Sequence, residues 1–402
     1  MAPSTVAESS PVVIVGGGFG GLSTALQLAQ HPNHPPLLLI EPQERFLFLP
    51  LLYELLSAEL SRWQIAPPYA DLLAGQGIAW LRDRVATIDT DSATLRTEGG
   101  RELRYGQLVI ATGGRPESFG IPGVEQHALG FRSLADVERL QRLVQTLRQR
   151  RRPLQRLVVV GAGASGVELA CKLADLLEGS AVIELVEQGA ELLPASKAFN
   201  RDQARLALQR RDIRLRTGTR VVAVGADGLE LSRSTQTDGG QHLQADAVIW
   251  TAGVAGCVPA ISPPLALDRR GRLLCNADLS VAGLSQVFAL GDAASCPADD
   301  TAPDANLPTS AHPATAQVAY QQAEQLAANL LRARAGEPLL PFQWRDLGEM
   351  LGLGIGQASI TGMGITLAGP AAYQLRRLAY LARLPGLQQK LKVAAGWLAA
   401  WS

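Results

Sequence analysis

The chain has 402 residues, and its 37 lysines and arginines balance its 37 aspartates and glutamates, so the formal net charge is zero. Such a balance lacks the basic excess of nucleic-acid-binding proteins, and nucleic acid is not expected as a partner. A hydrophobic content of 47% together with 40 glycines indicates an α/β protein with more than one domain.

The four cysteines stand far apart in the sequence, at Cys171, Cys257, Cys275 and Cys296. They have no C-x-x-C or metal-ligand spacing, so the sequence predicts neither a disulfide framework nor a metal site. No adjacent redox-active pair exists, although folding could still bring two distant cysteines together.

The first predicted unit passes from the apolar run VVIV through a Gly-x-Gly-x-x-Gly turn into a helical pattern. Glycines at these positions let the backbone approach a pyrophosphate at a helix N-terminus. The next apolar run, LLLIE, ends at Glu41, whose carboxylate can accept hydrogen bonds from ribose hydroxyls. The pattern predicts a dinucleotide site that includes Gly16, Gly18, Phe19, Gly20, Gly21 and Glu41.

The segment after Glu41 changes character, because FLFLPLLYELLS is interrupted by Pro50 and is typical of a loop and short helix. VATIDTDSATLRT then has the pattern of a hairpin, and YGQLVIATGG predicts a buried strand from Leu108 to Ala111. A strand that ends in Thr-Gly-Gly can bring backbone amides to a ligand at the carboxyl edge of the sheet. Ala111, Thr112 and Gly113 therefore join the first predicted site.

An arginine-rich amphipathic helix is predicted from about residue 133 to 152. Its cluster at Arg148, Arg150, Arg151 and Arg152 has no interleaved aromatic residues, so we interpret it as a solvated helix end rather than a nucleic-acid patch.

A second complete unit follows in LVVVGAGASGVELAC, and its next apolar run, VIELVE, ends at Glu187. A carboxylate at this strand end binds both hydroxyls of the adenosine ribose and repels a 2′-phosphate. Residues 188–190 offer no arginine, so NADH is the favoured donor and NADPH stays open. This second site is predicted at Gly161, Gly163, Ala164, Ser165, Gly166 and Glu187, with Gly253 at the end of the strand in DAVIWTAGV.

Two further segments carry polar groups that could bind a ligand. The strand in SQVFALGDAAS ends at Gly291 and Asp292, and this acid can bind a ribityl or ribose hydroxyl or serve as a helix N-cap. Pro313 is then expected to begin a helix. Gln317 and Gln321 are four residues apart on one face of that helix, and the alternative is a solvent-facing pair.

The last seventy residues are predicted to form β structure and then two amphipathic helices. Residues 350–372 carry no charge and hold six glycines, which indicates hairpin structure rather than a membrane span. The tail contains five cations and no acid, with helical spacing on both sides of Pro385: Arg376, Arg377, Arg383, Lys390 and Lys392. We expect it to bind an anionic membrane surface, with Trp397 and Trp401 as anchors. The alternative is a helix that packs on its own domain.

The order of these segments resembles that of the two-dinucleotide-binding-domain flavoproteins, and most closely the type II NADH dehydrogenases. These are single-chain, non-proton-pumping NAD(P)H:quinone oxidoreductases. The resemblance covers nearly the whole chain and includes FLFLPLLYELLS, ATGGRP, GAGASGVELA, VIWTAGV and ALGDAA. Its most specific segment is AQVAYQ, from Ala316 to Gln321, which is similar to the family's A-Q-x-A-x-Q quinone-site motif.

The resemblance implies a role for each segment. The first glycine turn binds FAD with the Gly291-Asp292 strand, Ala316 and Gln317, and the second turn binds NAD(P)H. Gln317 and Gln321 serve the quinone, and the positive end of their helix faces the flavin. Glu168 lies beside the nicotinamide and flavin, whereas its ordinary interpretation is a helix-surface pair with Lys172.

The implied fold is α/β, with an NAD(P)H domain inserted into an FAD domain and a C-terminal helical segment for membrane association. The predicted domains are residues 11–125 and 256–335 for FAD, 126–255 for NAD(P)H and 336–402 for the hairpin and membrane helices. The implied protein is peripheral, on the cytoplasmic face of a bacterial plasma or thylakoid membrane, and a homodimer is allowed.

The implied activity is electron transfer from NAD(P)H through FAD to a membrane quinone. A cyanobacterial and plastid subgroup acts on demethylated naphthoquinone, and the residues do not decide whether this chain belongs to it. A sulfide:quinone oxidoreductase is disfavoured, because it needs a cysteine pair and has no use for an intact second glycine turn. A soluble ferredoxin or rubredoxin reductase and a non-enzymatic NADH-sensing flavoprotein stay as alternatives.

Overall fold

The structure is a computed structural model that describes residues 10–150, 155–233, 240–297 and 312–399. The chain divides into two compact units. The first unit comprises Met1–Leu47, Ala66–Arg115 and Val254–Arg345, and the second comprises Phe48–Ile65, Pro116–Gly253 and Asp346–Ser402. Residues 48–65 and the C-terminal segment thus group with the second unit. The domain boundaries predicted from the sequence stay a prediction.

The helices and strands are numbered in chain order. The helices are α1 (Phe19–Ala29), α2 (Leu52–Leu56), α3 (Arg62–Ile65), α4 (Tyr69–Leu73), α5 (Val124–His127), α6 (Leu134–Arg150), α7 (Ala164–Leu177), α8 (Ala198–Gln209), α9 (Ala316–Ala335), α10 (Pro370–Arg383) and α11 (Leu387–Ala399). The strands are β1 (Val12–Val15), β2 (Leu37–Ile40), β3 (Ile78–Leu81), β4 (Val85–Asp89), β5 (Thr94–Thr97), β6 (Glu102–Arg104), β7 (Gln107–Ile110), β8 (Gly114–Pro116), β9 (Ala128–Leu129), β10 (Arg156–Val160), β11 (Val182–Val186), β12 (Arg214–Arg216), β13 (Thr219–Gly225), β14 (Gly228–Arg233), β15 (Gln241–Gln244), β16 (Ala247–Trp250), β17 (Val254–Gly256), β18 (Ala260–Ser262), β19 (Leu273–Leu274), β20 (Val287–Ala289), β21 (Ala294–Ser295), β22 (Glu349–Gly352), β23 (Ala358–Gly362) and β24 (Ile365–Gly369).

The first unit is built on a five-stranded parallel sheet in the order β20-β7-β1-β2-β3. Every residue of β1 is buried, as expected for a strand covered on both faces of a parallel sheet. In register, Val12 lies opposite Leu37 on one side and Gln107 on the other. Helix α1 packs against α9, and β4 and β5 form the predicted hairpin. The first Rossmann-like domain is confirmed.

The second unit contains its own five-stranded parallel sheet, in the order β12-β11-β10-β16-β9. A three-stranded antiparallel sheet, β13-β14-β15, packs on it through a common core. All strands of both sheets come from residues 128–250, which lie in the sequence between the segments of the first unit. The inserted second Rossmann-like domain is therefore confirmed. Helix α6 forms as predicted, and Arg151 and Arg152 lie outside the described residues.

The charge-free C-terminal stretch forms the antiparallel sheet β22-β23-β24, and the helices α10 and α11 follow on either side of Pro385 as predicted. Among the described residues, no helix has both the length and the apolarity needed to cross a bilayer. The predicted anchor Trp401 lies outside the described residues.

Two expectations about these elements were wrong. Helix α9 begins at Ala316 rather than Pro313, because Thr315 is extended and its hydroxyl accepts a hydrogen bond from the amide of Val318 at 3.3 Å as the N-cap. Arg376 was counted as a surface cation, but it is fully buried. It forms an ion pair with Glu54, the one acid in the apolar segment FLFLPLLYELLS.

Candidate functional site

The first glycine turn holds three glycines for two different reasons. A Cβ at Gly16, where φ is +99°, would collide with the Ala111 carbonyl, and a Cβ at Gly21 would collide with the Gly16 carbonyl. Those two glycines are thus required by the turn and by the packing of α1. Gly18 is exposed, and a Cβ there would meet nothing within 4 Å. The protein thus leaves space for a side chain at Gly18, and a glycine there suits the close approach of a ligand.

The carboxylate of Glu41 binds the backbone of this turn. It accepts hydrogen bonds from the amides of Gly17 at 2.7 Å and Gln43 at 2.8 Å. The Tyr69 hydroxyl donates to the Gly17 carbonyl at 2.7 Å, and a Cβ at Gly17 would crowd that hydroxyl. Burial first, and then the charge of Glu41, raise the pKa of Tyr69, so it stays a protonated donor. No motif pointed to Tyr69, because its partner is 52 residues away in sequence.

The strand ends predicted for the first site carry groups suited to a ligand. The Thr112 hydroxyl is buried and has no hydrogen-bond partner among the described residues. Gly113 has φ +69°, and a Cβ there would meet nothing within 4 Å. A buried hydroxyl without a partner is costly, so a ligand hydrogen bond would stabilise it. Ala111, which precedes them, is buried against the Gly16 turn.

The Gly291-Asp292 segment is held by a glutamine that lies just outside the A-Q-x-A-x-Q motif. Gln322 is buried, and its side-chain oxygen accepts a hydrogen bond from the Gly291 amide at 2.8 Å. Asp292 is the second residue of a 3₁₀ turn, Gly291–Ala293, whose N-cap is Leu290, so the N-cap interpretation of Asp292 is wrong. The signal for Gln322 was present in the Gln-Gln pair at residues 321–322.

Phe19 and Gly20, also assigned to the first site, lie in the first turn of α1. The Phe19 ring makes edge contacts with Phe46 and Tyr320, with centroid distances of 5.4 and 5.3 Å. A Cβ at Gly20 would press on Leu290. Both residues therefore also pack the helix, in addition to any contact with a ligand.

The second glycine turn repeats the construction of the first. A Cβ at Gly166 would collide with the Gly161 carbonyl, whereas one at Gly163 would meet nothing within 4 Å. The carboxylate of Glu187 accepts from the amides of Ala162 at 2.8 Å and Gly189 at 2.7 Å, as Glu41 does in the first unit. Ala164 and Ser165 form the first turn of α7 and are exposed. Gly253 has φ +71°, and a Cβ there would collide with the Phe119 ring.

Glu168 is buried on α7, in the second unit. Its carboxylate accepts a hydrogen bond from the Gly352 amide at 2.5 Å and lies 3.4 Å from the Arg376 guanidinium. Burial raises the pKa of Glu168 to about 7, against the lowering effects of Arg376 and of the Gly352 amide. Lys172 pairs with Glu59, so the interpretation of Glu168 as a surface partner of Lys172 is wrong.

The two glutamines of α9 are both engaged with the segment that follows the helix. The Trp344 indole donates to the Gln317 side-chain oxygen at 3.3 Å. The Gln321 amide nitrogen donates to the Arg345 carbonyl, and the Arg345 amide donates to the Gln321 oxygen, both at 3.0 Å. Both side chains thus have protein partners, unlike the solvent-facing pair that was the alternative. Gln321 holds the chain at Arg345, and Ala316 is the first helical residue.

Comparison with known proteins decides the family. A family profile described as pyridine nucleotide-disulphide oxidoreductase matches residues 10–323. A demethylphylloquinone reductase, NdbB, of Synechocystis sp. is 40% identical over 96% of this chain and 95% of its own length. The chain belongs to the type II NADH dehydrogenase family. An alternative NAD(P)H-ubiquinone oxidoreductase C1 of Arabidopsis thaliana is 34% identical over 96% of this chain and 80% of its own length.

A solved structure of a family member has the same fold. NDH2 from Plasmodium falciparum, in complex with NADH, superposes with a TM-score of 0.84 at 17% identity, over 97% of this chain and 98% of that one. The cofactors of this type II NADH dehydrogenase are FAD and NAD(P)H. The residues present fit two dinucleotides, because each glycine turn leaves one exposed glycine with no protein neighbour and one carboxylate at the adjacent strand end.

Within the described parts of the chain, no group of three or more histidines, cysteines, aspartates or glutamates could hold a metal ion. The four cysteines are free, and Cys275 and Cys296 are both buried.

Proposed function

We propose that this enzyme oxidises NAD(P)H with a membrane naphthoquinone of the demethylated, phylloquinone type as the acceptor. The observation that carries the proposal is the pair of open glycines, Gly18 and Gly163, each followed by a carboxylate that accepts a hydrogen bond from its glycine turn. This pair supports two dinucleotides in one chain, and 40% identity to a demethylphylloquinone reductase over 96% of the chain supports the acceptor.

The first unit is proposed to hold FAD, which supplies the two-electron chemistry when bound. The amides of the turn at Gly18 would face the pyrophosphate, and Glu41 would bind the adenosine ribose. Thr112, Gly113 and Asp292 lie at the ends of β7 and β20, where ligands of parallel sheets bind. Gln322 keeps Gly291 in place for this purpose.

The second unit is proposed to hold NAD(P)H at the corresponding positions. Gly163, Ala164 and Ser165 open α7 toward the pyrophosphate, and Glu187 binds the adenosine ribose. Glu168 is the proposed acid that exchanges a proton during turnover. In the first unit, Gln317 is the proposed quinone-site residue, and Gln321 supports it by holding the chain at Arg345 beside Trp344.

A peripheral position on a membrane is proposed from the exposed apolar side chains of the C-terminal helices. Leu378, Leu387 and Leu391 are 57%, 72% and 62% exposed. Trp397, expected to be an anchor, instead lies under the Arg377 guanidinium at 4.2 Å. Lys390 and Lys392 supply positive charge toward anionic lipid. The cytoplasmic face of a plasma or thylakoid membrane is the proposed location.

The proposed function is tested by anaerobic titration of the purified yellow protein with NADH and NADPH, followed by mixing with a panel of quinones. We expect bleaching of the flavin spectrum by a pyridine nucleotide and rapid recovery with a naphthoquinone. Bleaching without recovery by any quinone would favour a reductase of protein acceptors or a sensor. A preparation that binds no flavin would exclude the proposal.

Donor choice is expected to depend on Glu187. We predict that Glu187→Gln combined with Gln188→Arg lowers the ratio of kcat/KM for NADH over that for NADPH by about tenfold or more. Glutamine is neutral and has one acceptor oxygen, whereas the carboxylate of Glu187 has two and accepts hydrogen bonds from two backbone amides. It also adds a cation for the 2′-phosphate. Steady-state kinetics with both donors measure this ratio.

The single variant Gln188→Arg is the control for this prediction, because it adds the cation and leaves the carboxylate in place. It should change the ratio by less than the double variant does. An unchanged ratio in the double variant would show that Glu187 does not bind the ribose.

A further inference from the structure

Phe119, in the second unit, combines two features that are unusual for a phenylalanine. Its side chain is 57% exposed to solvent, and its backbone lies in the left-handed region with φ +53°. Both features are unfavourable for a large apolar residue, because the ring leaves apolar surface in water and the left-handed backbone crowds its Cβ. Backbone outliers of this kind cluster at binding and active sites. The fold alone does not account for Phe119 at this position.

The conformation of Phe119 is fixed by hydrogen bonds of its own segment. The Phe119 amide donates to a side-chain oxygen of Glu117 at 3.0 Å. The Glu117 amide donates to the Gly253 carbonyl at 3.3 Å, and the Trp250 indole donates to the Glu117 carbonyl at 2.8 Å. Trp250 is a buried core residue and the last residue of β16. The segment that carries Phe119 is thus attached to the carboxyl end of that strand.

The Phe119 ring lies directly against Gly253, an exposed residue that follows β16. A Cβ at Gly253 would come within 2.4 Å of the ring, so a glycine is what leaves room for it. Gly253 adjoins the second glycine turn through Ala252, whose Cα would lie 3.0 Å from a Cβ at Gly161. The Thr251 hydroxyl also donates to the Gly161 carbonyl at 3.2 Å. The exposed ring therefore stands at the rim of the site predicted at the second turn.

The strand order places this rim at one end of a dinucleotide bound to the second unit. Glu187 follows β11, on one side of β10, and Gly253 follows β16, on the other side of β10. The glycine turn after β10 lies between them and suits the pyrophosphate. With the adenosine ribose at Glu187, the other nucleoside extends across the turn toward β16. The half of NAD(P)H nearest to Phe119 is thus the nicotinamide nucleoside.

We propose that Phe119 is a substrate-binding residue for the nicotinamide half of NAD(P)H, with its ring packed against the nicotinamide nucleoside. The inference rests on the proposed function, which assigns NAD(P)H to the second turn. A planar apolar side chain at this rim covers the nicotinamide from water and restricts its orientation. The apolar surface that Phe119 exposes in the free protein is then buried by the substrate. The ring exchanges no proton or electron, so its contribution is to binding.

The test separates the two halves of the dinucleotide with NAD⁺ and ADP-ribose, neither of which reduces the flavin. NAD⁺ carries the nicotinamide and ADP-ribose lacks it, while both retain the adenosine and the pyrophosphate. We expect Phe119→Ala to raise the Kd of NAD⁺ by about tenfold and to change the Kd of ADP-ribose by less than about twofold. Isothermal titration calorimetry of the FAD-loaded protein measures both constants. Stopped-flow reduction of the flavin at increasing NADH concentrations should show a matching rise in the Kd of NADH.

Three further variants separate the ring from the fold. Phe119→Tyr keeps the planar ring and should retain both wild-type constants. Phe119→Asn lacks the ring and suits the left-handed backbone, so it should unfold at no lower temperature than the wild type and lose NAD⁺ affinity as Phe119→Ala does. It also replaces Phe119→Ala in the test if that variant does not fold. Leu206→Ala removes an exposed apolar side chain on α8 of the same unit and should change neither constant.

An unchanged Kd of NAD⁺ in the variants that lack the ring would overturn the inference. Equal weakening of NAD⁺ and ADP-ribose would also overturn it, because the ring would then act on the half that the two compounds share or through the fold. A wild-type protein that binds neither compound would instead overturn the assignment of NAD(P)H to the second turn, and with it the proposed function.

Discussion

Gly18→Leu is expected to weaken FAD binding sharply and leave the protein folded. A leucine at this position would meet no protein atom within 4 Å of its Cβ, so packing of the first unit should not change. The side chain would occupy the space in which the pyrophosphate meets the turn amides. Loss of two charge-assisted hydrogen bonds at about 1.5–3 kcal/mol each weakens binding by about 100-fold or more. Fluorescence titration of the apoprotein with FAD measures the affinity, and thermal unfolding measures the fold.

The matched control is Gly163→Leu, at the equivalent position of the second turn. This variant should bind FAD with the wild-type affinity and fail to be reduced by NADH at concentrations that saturate the wild type. The two substitutions are the same in chemistry and exposure, and only the expected cofactor differs. If each variant lost both cofactors, or if neither lost any, the assignment of one dinucleotide to each turn would be wrong.

Deletion of Pro370–Ser402 is expected to unfold the second unit rather than to release it from lipid. Tyr373, Arg376 and Leu384 are all buried. Removing Arg376 leaves Glu54 buried without its cation, which costs about 3–5 kcal/mol. A large fall in the unfolding temperature and loss of quinone turnover should follow. If the tail were a basic segment on the surface, its deletion would remove membrane binding and leave the fold intact. That result would require these side chains to be exposed.

Membrane binding is better tested by serine substitutions at Leu378, Leu387 and Leu391, which are exposed. This variant should stay folded, sediment less with anionic vesicles and retain turnover with a short-chain quinone better than with a long-chain one. The control replaces three exposed leucines outside α10 and α11: Leu206, Leu267 and Leu340. Equal vesicle binding by the two variants would contradict a docking face on α10 and α11. Salt should weaken binding by less than five surface cations would predict, since Arg376 is buried and each remaining cation of the tail adds at most about 1 kcal/mol.

The sequence predicted the two parallel sheets and both glycine turns well, because each depends on local patterns. Within thirty residues, a buried strand is followed by a turn with required glycines and then by a helix. The next strand leads to the acid whose carboxylate accepts hydrogen bonds from the turn. Glu41 and Glu187 could therefore be placed from spacing alone. Their geometry in the two units is the same, with two backbone amides bound to each carboxylate.

What the sequence could not reveal depends on partners distant along the chain. The sequence predicted Arg376 to be a surface cation because its helix carries other basic residues and its partner Glu54 is 322 residues away. A single acid within an apolar run was the available signal, since such a residue must find a cation when buried. Helix α9 began later than predicted because a threonine N-cap outweighed the preference of proline for the first helical turn.

The strand order of the first sheet has a consequence for synthesis on the ribosome. Its edge strand β20 pairs with β7, yet β20 emerges only after the whole of the second parallel sheet, whose strands all lie within residues 128–250. The inserted sheet can therefore assemble while the N-terminal strands still lack their last neighbour. We expect nascent chains that stop near residue 255 to protect β10 and β16 from proteolysis before β1 and β7, and FAD to be acquired only after α9 has been released.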